Sequence, residues 1–254
     1  MKTQPTLTIA YSTLADRVGN IVLPEQRADR EVLVIVQNLG RIALHDVPNR
    51  ADVRVVELIS RGVAKSRNEA LRQARGKYLL FADDDIVFKE DGIAAVIDYM
   101  DLHSEVAFVL GQAVDQHGQL RKNYPTKPTR LHRYNSAKAA TYEMVVRVKA
   151  AEDKNVWFDE RFGAGENNYL GDEYIFISDL ILAGLRCDFL PATLAVHPEV
   201  SSGSQWGTDR DLIARAAIFT RVFGRLAPAM RLAFGLKHLG REFDLPKLIR
   251  FIIG

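Results

Sequence analysis

The sequence predicts an α/β fold in which a mostly parallel sheet is covered by helices on both faces. Apolar runs of strand length alternate with helical segments through the first half of the chain, the pattern of strands joined by helical crossovers. Two of those runs, 31–37 and 78–82, are apolar without alternation, which is typical of strands buried on both faces. The chain has 254 residues, 47% of them hydrophobic, so a sizeable core can form.

The first half of the chain contains four predicted strands and three predicted helices. Runs of apolar and β-branched residues predict strands over 7–11, 31–37, 52–57 and 78–82. Helices are predicted over 63–75, where Gly76 would end the helix, and over 91–100. Ser12 is a helix-capping residue type, and we expect it to begin a helix that reaches Val22.

The second half continues with three predicted strands and four predicted helices. We predict strands over 106–114, 142–148 and 188–196, and helices over 172–183, 209–223, 228–243 and 246–253. The helix over 172–183 would end at Gly184. Two polar segments rich in turn residues, 118–128 and 197–204, are predicted loops.

Composition narrows the class of protein. A net charge of +2 is too small to argue for binding to nucleic acid. The single cysteine, Cys187, excludes an internal disulfide and a multi-cysteine zinc site, and it suits a reducing compartment. The N-terminal residues lack the apolar segment of a signal peptide, and no stretch approaches the ~18 apolar residues of a transmembrane helix. We therefore expect a cytoplasmic protein, with peripheral contact at the inner face of the cell membrane left open.

The charge is unevenly distributed between two parts of the chain. Residues 205–254 contain nine Lys or Arg and four Asp or Glu, a net charge of +5, so residues 1–204 carry −3. We expect a main domain over 1–204 and a basic, amphipathic helical extension over 205–254. The extension could lie on anionic lipid, or it could pack on the main domain with its arginine side chains reaching solvent.

Three carboxylates follow the predicted strand 78–82. In open α/β sheets, ligands bind beyond the carboxyl ends of the strands, which is where Asp83, Asp84 and Asp85 are expected. Asp83 and Asp85 are two residues apart and share a side of an extended chain, so together they could bind Mg²⁺ or Mn²⁺. The alternative is a solvated acidic turn that ends the strand.

A second candidate segment is GVAKSRNEAL, at the start of the helix over 63–75. Gly62 precedes a helix that bears Lys65, Arg67 and Asn68, and a helix start with basic groups attracts phosphate. A solvated helical face explains the same residues.

A third segment, FDERFGAGENNYLGDEYIF, is a glycine-rich loop followed by a helix that begins with Asp172 and Glu173. Either acid could be a general base held at a helix start, or both could simply be favoured by the helix dipole. His197 follows the strand over 188–196. A lone histidine is more often structural, and this one becomes a candidate metal ligand only if it meets the aspartate cluster.

In this order, the segments GVAKSRNEAL, YLLFADDDIVF and GDEYIF and the late histidine resemble the family 2 glycosyltransferases of the GT-A fold, which has a Rossmann-like sheet. The likeness covers about residues 7–203. It implies a metal-dependent, inverting transferase of the hexosyltransferase type, with Mn²⁺ or Mg²⁺ as cofactor. The donor would be a nucleotide sugar, with a UDP-sugar as first choice, and the acceptor a hydroxyl of a saccharide or lipid-linked saccharide. The product would belong to polysaccharide or glycolipid synthesis.

The resemblance also implies roles for the carboxylates and the histidine. Asp83 would lie near the ribose of the nucleotide and Asp85 would bind the metal, with Asp84 between them. His197 would supply a further metal or diphosphate contact. The family's Gly-Glu-Asp motif is here Gly-Asp-Glu, which puts Glu173 at the position of the base and leaves Asp172 as an alternative.

The expected nucleotide-sugar site is completed by Tyr11, Gln37, Asn38, Lys65, Arg67 and Asn68. Gln37 and Asn38 stand where the family usually has an aspartate pair or Asp-Gly-Ser that contacts the base. Their amides can pair with the edge of a uracil or thymine ring.

Two other functions fit parts of the sequence. A nucleotidyltransferase, or another metal-dependent sugar-nucleotide enzyme, also uses paired aspartates on a strand, but it does not explain the GDEYIF segment. A non-catalytic protein that binds nucleotide sugars is the second alternative. The simultaneous presence of the aspartate cluster, His197 and two candidate base carboxylates argues against it.

Overall fold

The structure is a computed structural model that describes residues 4–45, 49–197, 208–240 and 244–253. The described residues form strands β1 (Leu7–Leu14), β2 (Arg30–Gln37), β3 (Val53–Leu58), β4 (Tyr78–Asp83), β5 (Val87–Phe88), β6 (Val106–Val114), β7 (Thr129–Arg130), β8 (Met144–Arg147) and β9 (Arg186–Val196). They also form helices α1 (Val63–Gln73), α2 (Glu90–Leu102), α3 (Val148–Asp153), α4 (Asp172–Leu182), α5 (Asp209–Phe223), α6 (Ala227–Lys237) and α7 (Leu245–Ile253).

These strands form one mixed sheet in the order β3-β2-β1-β4-β8-β6-β9-β5, with β7 paired to β9. The neighbours β3, β2, β1 and β4 are all parallel, whereas β8 is antiparallel to both β4 and β6. Parallel pairing brings the carboxyl ends of β1, β2 and β4 to one edge of the sheet, where ligand sites form in such folds. The predicted α/β fold with a mostly parallel sheet is confirmed.

The core lies on both faces of the sheet. Along β4, Leu80 packs on one face in the cluster that contains Val96 of α2. Leu79 and Phe81 pack on the opposite face, in the cluster that contains Phe176 of α4. Because both faces are covered, the β4 side chains up to Ala82 are buried and only the strand end meets solvent. This explains why an unalternating apolar run ends in carboxylates.

The C-terminal helices pack on α4. Ile218, Val222 and Phe223 of α5 share a buried cluster with Tyr174 and Ile175 of α4. The last helix packs on α5 through its own cluster, which comprises Leu212, Ala216, Leu248 and Phe251. The predicted helical C-terminal region is confirmed. The predicted boundary between 204 and 205 lies outside the described residues. Within the described ranges, no helix combines the length and the apolar character needed to span a bilayer.

Three predicted elements differ from the structure. The helix predicted from Ser12 is wrong, because β1 continues to Leu14: Ser12 pairs in register with Ile35 on one side and Asp83 on the other. A short 3₁₀ turn follows over 15–20. The strand predicted over 142–148 is shorter, since 141–143 form a 3₁₀ turn that leads into β8. The helix predicted over 228–243 ends at Lys237, and residues 241–243 lie outside the described part.

Candidate active site

A cavity of about 590 Å³ opens at the carboxyl ends of β1, β2 and β4. Its other walls are the turn that precedes α1 and the glycine-rich loop that precedes α4. Eight of the twelve predicted site residues line it: Gln37, Arg67, Asp83, Asp84, Asp85, Asp172, Glu173 and His197. The sheet topology therefore brings together residues that are up to 160 positions apart in the sequence.

The three adjacent aspartates have different surroundings. Asp83 is 35% exposed, and its carboxylate lies 3.6 Å from the guanidinium of Arg67. Asp84 is buried, accepts a hydrogen bond of 2.6 Å from the hydroxyl of Thr13, and forms an ion pair with Arg17. Asp85 is 44% exposed, with Oδ1 lying 3.7 Å from Nε2 of His197. Asp83 and Asp85 are thus accessible from the cavity, whereas Asp84 anchors Arg17 at its wall.

Desolvation at the strand end acts on the first two aspartates. Burial raises the pKa of Asp83, and the positive charge of Arg67 offsets part of that rise. Burial also raises the pKa of Asp84, against the hydrogen bond from Thr13 and the charge of Arg17. Both shifts mean that ionising these two carboxyl groups costs more free energy in the folded protein than in water.

Arg67 connects three elements at the floor of the cavity. It is 4% exposed and forms ion pairs with Asp172 and Glu173 at the start of α4, as well as with Asp83 at the end of β4. The guanidinium nitrogen Nη1 lies 3.2 Å from Oε1 of Glu173. One cation thus faces three carboxylates, and a guanidinium suits such a position because it remains charged when buried.

Asp172 and Glu173 are adjacent in sequence but differ in access to the cavity. The Asp172 side chain is 3% exposed and lies against Arg67. A Cβ atom at Gly163 would come within 2.8 Å of Cγ of Asp172, so a glycine at φ +101° is needed beside this carboxylate. The Glu173 side chain is 21% exposed and accepts a hydrogen bond of 2.7 Å from the hydroxyl of Thr141. Of the two carboxylates, Glu173 is therefore the more accessible from the cavity.

The two carboxyl groups have pKa values shifted in opposite directions. Burial would raise the pKa of Glu173, but the charge of Arg67 and the hydrogen bond from Thr141 outweigh it and hold that pKa below its usual range. Burial, followed by the negative charge of Glu173, raises the pKa of Asp172 well above its usual range. Of the two carboxyl groups, Glu173 is thus the one whose ionised form the surroundings favour.

Gly171 fixes the start of α4. Its φ is +93°, the left-handed region that favours glycine, and this turn places Asp172 and Glu173 in the first helical turn. A Cβ atom on Gly171 would lie 2.3 Å from Cδ1 of Ile218. The same residue therefore sets both the direction of the two carboxylates and the close approach of α5.

Asp85 and His197 suit a metal ion that takes only part of its coordination from the protein. An exposed carboxylate oxygen and an imidazole nitrogen 3.7 Å apart are donor types that Mn²⁺ and Mg²⁺ sites use. Within the described part of the chain, no group of three or more His, Cys, Asp or Glu side chains could hold a metal. Two protein ligands fit the usual magnesium arrangement, in which substrate phosphate and water complete the shell.

Three predicted binding residues lie away from the cavity wall. Tyr11 is fully buried, and its hydroxyl donates to the carbonyl oxygen of Val22. Lys65 pairs with Glu166 at 2.9 Å. Asn68 on α1 is buried, and its amide donates to the carbonyl oxygen of Phe158 in the segment that follows α3. None of the three is among the residues that line the cavity, and their predicted contact with the donor stays a prediction.

Gln37 and Asn38 lie next to a smaller cavity of about 250 Å³, which shares Leu14, Gln37 and Arg61 with the main one. Oε1 of Gln37 accepts a hydrogen bond of 2.7 Å from the backbone N–H of Gly62. Asn38 is buried, and its amide group both donates to and accepts from the backbone of Ile42. Asn38 therefore shapes the rim of the smaller cavity through the backbone that it holds.

Sequence reasoning missed Arg17, Arg61 and Thr141. Arg17 and Arg61 add positive charge to the cavity wall, and Thr141 orients Glu173. Arg17 falls in the segment for which a helix was wrongly predicted. Thr141 is 32 positions from Glu173 in the sequence, so no local motif connects the two. The one available signal was the position of Arg17, a basic residue that closely follows β1, whose carboxyl end lies at the ligand-binding edge of the sheet.

Comparison with known proteins gives a family match and a fold match. Residues 35–151 match the model of the family described as Glycosyl transferase family 2. No curated protein sequence gives a significant match to the chain. Among solved structures, S. aureus TarS is similar at 14% identity with a TM-score of 0.60, over 92% of this chain and 44% of that one. This chain thus spans less than half the length of full TarS.

Two other solved structures were determined with ligands. TarS 1-349 in complex with UDP-GlcNAc is similar at 14% identity and a TM-score of 0.62, over 96% of this chain and 79% of that one. The mannosyltransferase PcManGT from Pyrobaculum calidifontis, in complex with GDP-Man and Mn²⁺, is similar at 17% identity and a TM-score of 0.59, over 98% and 74% of the two chains. These likenesses show the fold that the chain shares with those proteins.

Proposed function

We propose that this chain is a family 2 glycosyltransferase of the GT-A fold and that it moves a sugar from a nucleotide-sugar donor to a hydroxyl acceptor by single displacement with inversion. The observation that supports this most strongly is the meeting of Asp83, Asp85 and Glu173 on one cavity. The solved neighbours that contain UDP-GlcNAc and GDP-Man support a nucleotide-sugar donor. A UDP-sugar is our first choice.

The donor is proposed to lie along the sheet edge. Its base occupies the smaller cavity beside Gln37 and Asn38, and its ribose lies toward Asp83. The exposed guanidinium groups of Arg17 and Arg61 also line the cavity, where they can bind diphosphate oxygens. This placement leaves the sugar directed at the start of α4.

Asp85 and His197 are the residues that would hold a divalent metal ion, Mn²⁺ or Mg²⁺. When bound, such an ion neutralises negative charge on the diphosphate and makes it a better leaving group. The protein contributes an exposed carboxylate for that ion and a histidine whose ring stacks on Tyr142, with centroids 4.7 Å apart. The stacking limits the rotation of the imidazole and keeps its nitrogen directed at Asp85.

Glu173 is proposed as the general base. The acceptor oxygen forms a bond to the anomeric carbon while the bond from that carbon to the diphosphate oxygen breaks, and the hydroxyl proton passes to the Glu173 carboxylate. A positioned base of this kind contributes roughly 10²–10⁴-fold to the rate. Arg67 and Thr141 hold the carboxylate ionised and oriented before the acceptor arrives. Asp172 serves as the buried partner of Arg67.

Inversion follows from the number of reactive groups. One accessible carboxylate at the start of α4 serves as base, and the aspartates at the end of β4 are assigned to the nucleotide and the metal. A double displacement would need a further carboxylate as nucleophile beside the anomeric carbon. A single displacement requires only the groups already assigned.

The C-terminal helices are proposed to touch an anionic membrane surface as a peripheral contact. Leu245, Ile249 and Ile253 recur every fourth residue of α7 and are 63%, 50% and 78% exposed. Leu232 and Leu236 on α6 are exposed as well, and the basic charge of residues 205–254 suits anionic lipid. This contact would suit a product that belongs to a polysaccharide or glycolipid.

A vesicle assay tests the membrane proposal. Sedimentation with anionic phosphatidylglycerol vesicles should capture the protein, and Ile249→Ser combined with Ile253→Ser should reduce capture several-fold. Capture that is equal for the variant and the wild type, or no capture at all, would rule this contact out.

A turnover screen tests the proposed activity. The protein is incubated with UDP-sugars and GDP-sugars, with Mn²⁺ or with chelator, and release of nucleoside diphosphate is measured with and without acceptors. We expect metal-dependent release from one donor, accelerated by an acceptor. A protein that instead forms nucleotide sugars from nucleoside triphosphate and sugar phosphate would be a nucleotidyltransferase, and the proposal would fail.

A further inference from the structure

A second cavity, of about 490 Å³, lies between the segment 133–139 and the C-terminal helices. Six apolar side chains of the C-terminal helices line it: Ile218, Phe219, Phe223, Met230, Ala233 and Phe234. Its volume lies within the range of small-molecule sites, roughly 300–1,000 Å³. None of the donor-site groups at the end of β4 takes part in it.

This second cavity meets the first at the proposed base. Leu170, Gly171 and Glu173 line both cavities. A molecule in the second cavity can therefore bring a hydroxyl group to Glu173 from the side opposite the sheet edge. The segment that closes the cavity is held in place, since the Tyr174 hydroxyl donates to the Arg133 carbonyl oxygen at 2.5 Å.

The charged groups of the second cavity are mainly cations. Arg133, Arg215 and Lys237 line it, and Glu173 is the one carboxylate among the described residues of its wall. Arg215 forms an ion pair with Asp211. Arg133 donates to the carbonyl oxygen of Val222 and lies over the Phe223 ring. Within the described ranges, neither Arg133 nor Lys237 has a carboxylate at ion-pair distance, so both can accept an anionic group of a ligand.

We infer that the second cavity binds the acceptor, and that the acceptor is an amphiphile with an apolar body and a phosphate group. The inference rests on the proposed function, because it takes Glu173 as the base that receives the acceptor's proton. The apolar body would contact the aromatic rings of α5 and α6, and the phosphate would pair with Arg133 and Lys237.

The lining argues against a bare saccharide as the main occupant. A saccharide has hydroxyl groups around its ring, and burying each one without a hydrogen bond costs free energy. The helical wall offers mainly aromatic and aliphatic side chains, with Glu173, Arg215 and Lys237 as its charged groups. An apolar chain gains free energy from the same wall, at about 25 cal/mol per Å² buried.

Decyl phosphate, used below its micelle concentration, is the probe for this inference. Isothermal titration should show binding to the wild type at least tenfold tighter than that of decyl glucoside or inorganic phosphate. Ala233→Trp places an indole in the cavity and should weaken binding of decyl phosphate at least tenfold. Lys237→Gln should weaken it by a smaller factor and should leave the affinity for decyl glucoside at its wild-type value.

Two matched controls separate the cavity from the rest of the helical surface. Ala229→Trp lies on the same helix outside the cavity, and Ile249→Ser lies on the exposed apolar side of α7. Both should bind decyl phosphate like the wild type. Melting temperature establishes that each variant is folded. Equal weakening by Ala229→Trp and Ala233→Trp, or equal affinity for decyl phosphate and decyl glucoside, would overturn the inference.

The outcome is distinguishable from failure of the proposed function. Turnover of a nucleotide sugar with a soluble saccharide acceptor, together with no binding of decyl phosphate, would refute the inference and leave the transferase intact. Tight, cavity-dependent binding of decyl phosphate without turnover of any donor would refute the transferase and still support an amphiphile site.

Discussion

The two cavities that meet at Glu173 have opposite chemical character. The proposed donor cavity is built from strand ends and turns, and carboxylates and guanidinium groups line it. The proposed acceptor cavity is built mainly from helices, and its lining is mostly aromatic and aliphatic. A polar site at a sheet edge suits a diphosphate, whereas a helical wall suits an apolar body. The boundary between them is Gly171, which has no side chain and so allows α5 to approach α4.

The largest expected effect comes from removing the shared carboxylate. Glu173→Gln should lower kcat by roughly 10²–10⁴-fold, because the acceptor hydroxyl loses its base. Binding of nucleoside diphosphate, measured as a thermal shift, should persist. Glu166→Gln is a control, since Glu166 pairs with Lys65 away from the cavity wall. A wild-type kcat in Glu173→Gln, with a loss in Asp172→Asn, would move the base to Asp172.

Arg67→Met should lower the free energy of unfolding, because Arg67 is the buried cation that faces Asp83, Asp172 and Glu173. Leaving buried carboxylates without their cation costs about 3–5 kcal/mol of unfolding free energy. The pKa values of Asp172 and Asp83, already raised, would rise further. The folded variant would then bind more protons than the unfolded chain, so its stability should fall as pH rises from 5 to 8.

Urea denaturation at both pH values measures the effect of Arg67→Met. Arg72→Met on the same helix is the control, because Arg72 is 50% exposed and its loss should cost within about 0.5 kcal/mol. A loss of stability for Arg67→Met that does not depend on pH would show that the carboxylates do not drive it.

Asp85→Asn should weaken the metal-dependent part of donor binding. Loss of a charged oxygen ligand should reduce the Mn²⁺ dependence of nucleoside diphosphate affinity by at least roughly tenfold. Titration of Mn²⁺ in a thermal-shift assay measures this. Asp91→Asn, at an exposed position on α2, should behave like the wild type. Identical Mn²⁺ titrations for Asp85→Asn and the wild type would exclude Asp85 as a ligand.

Gly171→Ala tests whether the close approach of α5 to the start of α4 requires glycine at position 171. Its Cβ atom would lie 2.3 Å from Ile218, and its φ is +93°, so we expect a loss of about 1–3 kcal/mol in unfolding free energy. Gly184→Ala is a matched control, since φ is +81° there and a Cβ atom would meet nothing within 4 Å. Equal losses for the two variants would mean that backbone strain, and not contact with α5, accounts for the need for glycine at 171.

The smallest expected effect comes from Thr141→Val. It removes a hydrogen bond to ionised Glu173, so the pKa of Glu173 should rise. The acidic limb of the kcat/KM profile should therefore move to higher pH, while kcat at pH 8 falls about tenfold or less. An acidic limb at the same pH as in the wild type would show that a group other than Glu173 controls that limb.

Local sequence patterns predicted where the carboxylates lie in the fold, because each stands at the end or the start of a recognisable element. Asp83 and Asp85 end an apolar strand, and Glu173 begins a helix after a glycine-rich loop. The residues around them come from distant parts of the chain. Arg17, Thr141 and the wall of the second cavity are joined to Glu173 only by tertiary packing, which no local spacing encodes.

Residue type also failed to predict burial. Tyr11 and Asn68 have side chains that often bind ligands, yet both are buried and hydrogen-bonded to the backbone. Ser12 is a good helix cap, but pairing of β1 with two neighbouring strands overrides that preference. Propensity is a weak guide where a residue lies inside the sheet.

The stereochemistry of the product tests most directly whether one base at the junction of the two cavities performs a single displacement. Proton NMR of the first product formed from an α-linked nucleotide sugar reports the configuration at the anomeric carbon. We predict a β-linked product, formed by the wild type and strongly reduced in Glu173→Gln. An α-linked product would contradict the account, because a single displacement at the anomeric carbon inverts its configuration.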